Sequence, residues 1–428
     1  MISHKKRTKA LLLDECLEVL GLALEYNLKD FPLHQHVIRV GEGCVLLAAK
    51  MGFDRPKMRN LYFAGLLHDV GKISIPLRIL NKKESLTEEE FTIVKNHTVQ
   101  GSRIICSLPE LDRLAFGVRW HHERWDGTGY PDGLARYEIP IEIQILSAVD
   151  CFDSLQTPRM DRVAHTPGEA FDIMRESSGS HFNPDIIDLI FELHSEKILV
   201  PGQSSRQFLE IRDKHLIAPL AEKENDYTMY RGITGLYPVL RLFARVIDAK
   251  HHYTSGHSTR VSVLSKYIAE QMGFPADDLI KIEIAGLMHD AGKISIPTEL
   301  LEKNGTPTEE EWRCIRRHPV HSSELIKTIS LFDEIANIAY YHHVWADGHG
   351  YPETRPEEPE PVLSQIIALA DAYDAITSVR AYSRAETPES AYRIIREALG
   401  TQFNYTAGKT LINTSPKYIK ALFDMHEV

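Results

Sequence analysis

Apolar residues recur at helical spacing through most of the chain. Val37, Val40, Cys44, Leu47 and Met51 fall at i, i+3, i+7, i+10 and i+14, and Val261, Leu264, Ile268 and Met272 behave similarly before Gly273. This spacing lines up one face of a helix. Thr87 with Glu90, and Thr308 with Glu311, have the spacing of a capping box ahead of FTIVKNH and WRCIRRH, which predicts a helix start at each place. No stretch sustains the two-residue alternation of a half-buried strand, so the expected fold class is all-α.

These elements come in pairs. AGLLHDVGKISIP at 64–76 and AGLMHDAGKISIP at 285–297 differ only at Leu67/Met288 and Val70/Ala291, and they lie 221 residues apart. The same offset pairs His36 with His257, His97 with His318, His121 and His122 with His342 and His343, Gly129-Tyr130-Pro131 with Gly350-Tyr351-Pro352, and Asp150 with Asp371. So long a period implies a duplicated domain, not a solenoid of short repeats. VPGQSS at 200–205 and the polar AEKENDY at 221–227 carry the break signals. The expected organisation is a first copy over 1–205, a connecting helix or linker over 206–230, and a second copy over 231–428.

Length and composition agree. A chain of 428 residues exceeds the roughly 250–300 residues at which one core stops growing. Its 43% apolar and 25% charged residues are ordinary for a globular protein. A net charge of −11 argues against a long nucleic acid as partner, whereas a small anion fits a locally positive or metal-charged cleft. Five scattered cysteines without CxxC spacing fit a reducing compartment. Asp14 and Glu15 interrupt the apolar run a signal peptide needs, and nothing approaches the roughly 18 apolar residues of a membrane span. The expectation is a complete cytoplasmic protein with no membrane partner.

Candidate chemistry concentrates in the repeated residues. His36, His68, Asp69, His97, His121, His122 and Asp150 place five imidazoles and two carboxylates in the first copy. This mixture suits iron, manganese, zinc or nickel better than calcium or magnesium. Seven ligands are too many for one ion, and two ions sharing a carboxylate use all of them, as in two-metal phosphate-ester hydrolysis. Adjacent ligands such as His68 and Asp69 diverge by about 100° on a helix, so both reach one centre near a helix end, which Gly71 would supply. A lone histidine is more often a core or surface residue than a ligand. The case rests on seven residues kept at fixed separations while NKKESL has diverged to EKNGTP.

The HD...GK segment, the histidine opening a later helix, HHERWDGTGYP and the later Asp150 resemble the HD-GYP phosphodiesterases, a branch of the HD-domain metal hydrolases. The resemblance covers nearly the whole chain, once per half. It implies an all-helical fold, two or three iron or manganese ions per site, and hydrolysis of cyclic di-GMP or 3',3'-cyclic GMP-AMP; nickel, zinc or magnesium are the alternative ions for this ligand set. Carried over, it assigns His36, His68 and Asp150 to one metal, His97, His121 and His122 to the other, and Asp69 as the bridge. The second copy would use His257, His289 and Asp371, then His318, His342 and His343, with Asp290 bridging. Three-metal members carry a glutamate four residues before the first histidine; Pro32 and Tyr253 stand there, so two ions per site are expected.

Lys72 and Lys293, three residues beyond each bridging aspartate, would steady the phosphate or assist leaving-group protonation, unless they are surface lysines on a tight turn. Tyr130 and Tyr351 lie in glycine-rich loops, where a tyrosine stacks on a base or simply packs the loop down. The resemblance gives Arg159 and Arg162 to the ligand's phosphates, with solvated helix arginines as the bland alternative. In the second copy Arg380 is kept, Ser383 replaces the other member and Arg384 follows.

The copies also diverge around the site. Val344 replaces Glu123, His349 replaces Thr128, Thr354 replaces a glycine, and acids follow the second loop. Aligning Pro184 with Pro416 implies an insertion of 11 residues between Asn404 and Ser415. The expectation is a catalytic first copy and an auxiliary or weakly active second one. The alternatives are a cyclic-dinucleotide receptor reporting to a regulatory protein partner, or a general HD nucleotidase, which the GYP loops disfavour.

Overall fold

The computed structural model describes residues 9–28, 36–80, 82, 84–157, 164–199, 208, 211, 235–249, 256–301, 303, 305–352, 361–378 and 385–426. Among them all regular structure is helical, with four isolated β-bridges. None of these helices is long and apolar enough to cross a membrane. All five cysteines are free.

The first series comprises α1 (Lys9–Leu28), α2 (His36–Lys50), α3 (Arg55–Leu67), α4 (Leu77–Leu80), α5 (Glu88–Lys95), α6 (His97–Cys106), α7 (Ala115–Trp120), α8 (Ile141–Gln156), α9 (Pro167–Glu176) and α10 (Pro184–Ser195). A second series follows: α11 (Tyr237–Ala249), α12 (His257–Gln271), α13 (Ala276–Met288), α14 (Thr298–Leu301), α15 (Glu309–Ile315), α16 (His318–Ile326), α17 (Asp333–Tyr340), α18 (Val362–Thr377), α19 (Pro388–Glu397), α20 (Tyr405–Ile412) and α21 (Pro416–Asp424). Most helices of the second series begin 221 residues after their counterparts, as α2 and α12 or α8 and α18 do. Thr87 and Thr308 both close the capping boxes their sequences predict.

By compactness the chain divides into one unit of Leu20–Glu222 and another of Lys223–Val428 with Met1–Val19. The repeat pattern would group Met1–Val19 with the first copy. In the second unit the Glu15 carboxylate accepts hydrogen bonds from the Ser330 backbone N–H and hydroxyl, at 2.7 and 2.6 Å. The expected connecting helix lies outside the described residues except for Phe208, buried and stacked on Tyr62, and Ile211.

Within the first unit α2 is buried on nearly every side between α3 and α8, so its apolar positions exceed the single predicted stripe. Met51 lies beyond the end of α2 and is exposed. Side chains such as Val40, Leu47, Leu66 and Leu67 are fully enclosed, each worth about 1.5–3 kcal/mol of hydrophobic stabilisation. Helices α2 and α3 meet backbone to backbone: a Cβ on Gly65 would lie 2.8 Å from the Gly41 Cα. The counterpart crossing is as close, with Gly286 against the Ser262 Cα at 2.6 Å. This contact brings His36 at the start of α2 beside His68 at the end of α3, with ring centroids 5.9 Å apart.

The inferred insertion after Asn404 is not there. Asn183 caps α10 and donates from Nδ2 to the Gln144 Oε1, at 2.8 Å; Asn404 caps α20 and donates to the Gln365 Oε1 at the same distance. Tyr405 therefore stands where Pro184 stands. Pro416 opens a separate helix behind the Ser415 cap, so the later proline is not the equivalent one.

Candidate metal centres

Four of the five histidines of the first set are placed by a helix terminus, and His122 follows His121. His68 is the C-cap of α3, His97 opens α6, His121 is the C-cap of α7, and His36 opens α2. Asp150 projects from α8, and Asp69 precedes a 3-10 turn over Val70–Ser74. Helix α3 ends before Gly71, whose φ is not positive, so this glycine is no left-handed terminator. Its role is close approach: a Cβ there would lie 1.9 Å from the His97 carbonyl oxygen. Gly292 meets the His318 carbonyl at 2.1 Å in the same way. The turn must touch α6 backbone to backbone for Asp69 to reach the His97 ring.

Backbone carbonyls set the tautomers. The Nδ1 atoms of His68, His97 and His121 lie 2.7, 2.7 and 2.9 Å from the carbonyls of Gly65, Val94 and Val118, each three residues earlier. In the second unit His289, His318 and His342 do the same to Gly286, Ile315 and Ala339, at 2.8, 2.8 and 2.6 Å. A carbonyl only accepts, so Nδ1 carries the proton and a neutral ring presents a lone pair at Nε2. His36 and His257 turn Nδ1 instead to Asp153 and Asp374, at 2.6 and 2.7 Å. Arg39 and Arg260 grip those carboxylates with two hydrogen bonds each. The sequence reading missed Asp153, Asp374, Arg39 and Arg260, although each repeats at the common offset three residues from a ligand.

The donor atoms converge into triads. His36, His68 and Asp150 form one, and His97, His121 and His122 another, each with its ligand atoms within 4.8 Å of one another. The counterparts are His257, His289 and Asp371, then His318, His342 and His343. Asp69 lies between the first two: its Oδ2 is 3.4 Å from the His68 Nε2, and its Oδ1 is 3.4 Å from the His97 Nε2. Asp290 divides itself likewise, 3.3 Å from His289 and 3.2 Å from His318.

Two observations show that these residues fit divalent cations. The Nε2 atoms of His97 and His121 face each other at 3.3 Å, and those of His318 and His342 at 3.2 Å, with the protons already committed on the far side of the rings. Burial, with neighbouring imidazoles, holds His121 well below the ordinary histidine range, and burial takes His122 down to about 3. Facing lone pairs repel unless a cation lies between them. Among the described residues, the Oδ1 atoms of Asp69 and Asp290 and the Nε2 of His289 are also buried without a hydrogen-bond partner, which is costly for polar atoms. Burial opposes ionisation of Asp69, but the Lys72 ammonium beside it helps hold the carboxyl well below the usual range.

Lys72 and Lys293 reach the carboxylates of Asp69 and Asp290, each with Nζ 2.5 Å from Oδ2. The Tyr130 ring lies 4.9 Å from His122, and the Tyr351 ring 4.7 Å from His343. Burial raises both phenol pKa values, so each hydroxyl keeps its proton. Arg159, Arg162, Arg380, Pro32 and Tyr253 lie outside the described residues, as do Thr354, Ser383 and Arg384.

Beneath the loop after Tyr130 stands Glu123, where the second HD region has Val344. Buried Glu123 accepts three backbone N–H groups, from Asp132, Gly133 and Leu134, at 2.7, 3.1 and 3.1 Å. Arg119 and Trp120 hold the Asp132 carboxylate from the other side. The corresponding residues Tyr340, Tyr341 and Val344 form a buried apolar cluster with Val320 packed against it.

The HD domain family model matches twice, over residues 25–186 and 241–406. The 3'3'-cGAMP-specific phosphodiesterase 3 of Vibrio cholerae is 27% identical over 76% of this chain and 68% of its own length. The cyclic di-GMP phosphodiesterase of Thermotoga maritima is 40% identical over 42% of this chain and half of its own. The crystal structure of a cyclic GMP-AMP-specific phosphodiesterase of V. cholerae superimposes with a TM-score of 0.64 over 95% of this chain and 99% of the other, at 23% identity. With both matches spanning the histidine and aspartate clusters, the chain belongs to the HD domain family.

Proposed function

We propose that this protein is a metal-dependent phosphodiesterase that opens a cyclic dinucleotide, 3',3'-cyclic GMP-AMP or cyclic di-GMP, to its linear form, and that its two HD regions arose by duplication. One observation carries the reading: Asp69 directs its two oxygens to two different triads while one of them, buried, has no hydrogen-bond partner among the described residues. The names of the relatives supply the substrate class.

His36, His68 and Asp150 would hold one divalent ion and His97, His121 and His122 a second, with Asp69 shared; iron or manganese suits this donor set. Such a pair of ions supplies Lewis acidity and an activated water for in-line attack at phosphorus. Lys72 sets a positive charge beside the shared carboxylate, where negative charge grows on the phosphoryl oxygens. Tyr130 offers a protonated hydroxyl and an aromatic face beside His122. Arg159 and Arg162, with Arg380 in the second copy, keep their proposed phosphate contacts.

The second copy would hold ions with His257, His289 and Asp371, and His318, His342 and His343, around Asp290. We assign turnover to the first copy, because Glu123 ties down the loop behind Tyr130 and Val344 cannot. A second copy that binds nucleotide without cleaving it is the competing reading, and the same substitution favours it.

The test incubates protein carrying iron or manganese with cyclic di-GMP, cyclic GMP-AMP and cyclic di-AMP separately and identifies products by chromatography. Ring opening of cyclic GMP-AMP or cyclic di-GMP is expected. No opening of any ring by the metal-loaded protein would sink the enzyme reading.

A further inference from the structure

Lys95 is the last residue of α5. Its Nζ lies 5.1 Å from the centre of the Phe91 ring, one turn earlier, and 6.0 Å from that of Tyr130. The Tyr130 ring in turn rests on His122. The second copy repeats the arrangement with different residues: the Arg316 guanidinium lies 5.5 Å from the Trp312 ring and 5.9 Å from that of Tyr351, which rests on His343. Between FTIVKNH and WRCIRRH, aromatic and cation have both changed identity while the order of aromatic, cation and histidine is kept.

A lysine stacked on an aromatic four residues earlier is an ordinary helix-surface pair. That does not account for the second ring, which comes from the loop beside the metal triad. Two aromatic faces attract the ammonium without using its N–H donors, which stay available to an anion. Among the described residues Lys95 forms no ion pair, in a chain whose net charge is −11. Arg316 is drawn toward Glu309, at 3.8 Å.

We propose that Lys95, and Arg316 in the second copy, position the phosphate of the cyclic dinucleotide that is not being cleaved. The inference rests on the phosphodiesterase reading. The phosphate undergoing attack belongs at the triads, and Lys95 stands one aromatic ring beyond them, where a ligand with two phosphates presents its other charge. Lys95 is the stronger contact, since among the described residues no carboxylate pairs with it.

The experiment compares full-length, metal-loaded wild type with the double variant Lys95→Gln/Arg316→Gln. The KM for the cyclic dinucleotide should rise about tenfold, as for loss of one charge-assisted contact, with the loss falling on KM and not on kcat. Bis(p-nitrophenyl) phosphate, which carries a single phosphate, should be affected far less. Lys95→Arg/Arg316→Lys should restore the cyclic dinucleotide KM. Equal losses with both substrates, a loss accompanied by a drop in metal content or thermal midpoint, or failure of the charge-preserving variant would overturn the proposal. If wild type turns over no ring, the phosphodiesterase reading fails by itself. Calorimetric binding of cyclic di-GMP and cyclic GMP-AMP then decides the inference: equal affinity of wild type and double variant for both refutes it, and weakened binding supports it.

Discussion

The Asp153 carboxylate lies 2.6 Å from the Nδ1 of His36, and Arg39 holds both of its oxygens. This contact turns the His36 Nε2 toward Asp150, 3.2 Å away. Asp153→Asn keeps the size but weakens the acceptor and the grip of Arg39. Metal affinity at the first site should fall roughly 10- to 100-fold, the usual effect of losing a group that orients a ligand. Manganese titration followed by calorimetry measures it; unchanged affinity would mean that His36 needs no external orientation.

Asp69 and Asp290 should separate the two copies. Asp69→Asn removes the carboxylate shared by the first pair of triads and should lower cyclic-dinucleotide turnover at least about 100-fold. Asp290→Asn should leave most of the turnover while removing bound metal from the second site. Metal content by mass spectrometry and product formation by chromatography are read on the same samples. The reverse pattern of turnover would move catalysis to the second copy.

Gly71→Ala drives a methyl group into the His97 carbonyl, 1.9 Å from where the Cβ would stand. Overpacking of this kind costs about 1–3 kcal/mol or more, so the thermal midpoint should drop and metal binding should weaken. Gly168→Ala, near the start of α9 with nothing within 4 Å of the new Cβ, is the control. It should be neutral or stabilising by about 0.4–1 kcal/mol. Equal midpoints for the two variants would remove the close-approach argument.

Glu123→Val copies the second site into the first. Three backbone N–H groups lose their acceptor, and the first unit should lose roughly 1–3 kcal/mol, with a rise in KM as the loop carrying Tyr130 slackens. The reciprocal Val344→Glu places a carboxylate among Tyr340 and Tyr341 and should destabilise the second unit. Denaturant melts of both variants decide it, and a Glu123→Val protein with wild-type stability and KM would contradict the role given to the loop.

The helical class and the repeated set of five histidines and two aspartates were legible because both depend on spacing, while the grouping of that set into triads was what the family resemblance implied. Periodicity marks a helix wherever it occurs, and a shared offset marks residues that do one job twice. What escaped depends on contact. Gly71 reads as a helix stop in one dimension, and only the neighbouring backbone of α6 explains it. The prolines at 184 and 416 look equivalent because both open a helix, whereas Asn183 and Asn404, each tied to a glutamine on the central part of its unit, fix the true register. Asp153 and Arg39 were visible as repeated residues but carried no motif, since orienting a ligand demands a distance and not a pattern.

Six of the site histidines are aimed by the carbonyl three residues before them. No side-chain replacement can delete a carbonyl, so this aiming is shielded from most point mutations. A lineage can therefore rewrite the loops that choose and retain a substrate while the ligand cage survives unaltered. Two cages that still match, beneath loops that no longer do, are what such uneven exposure to mutation produces.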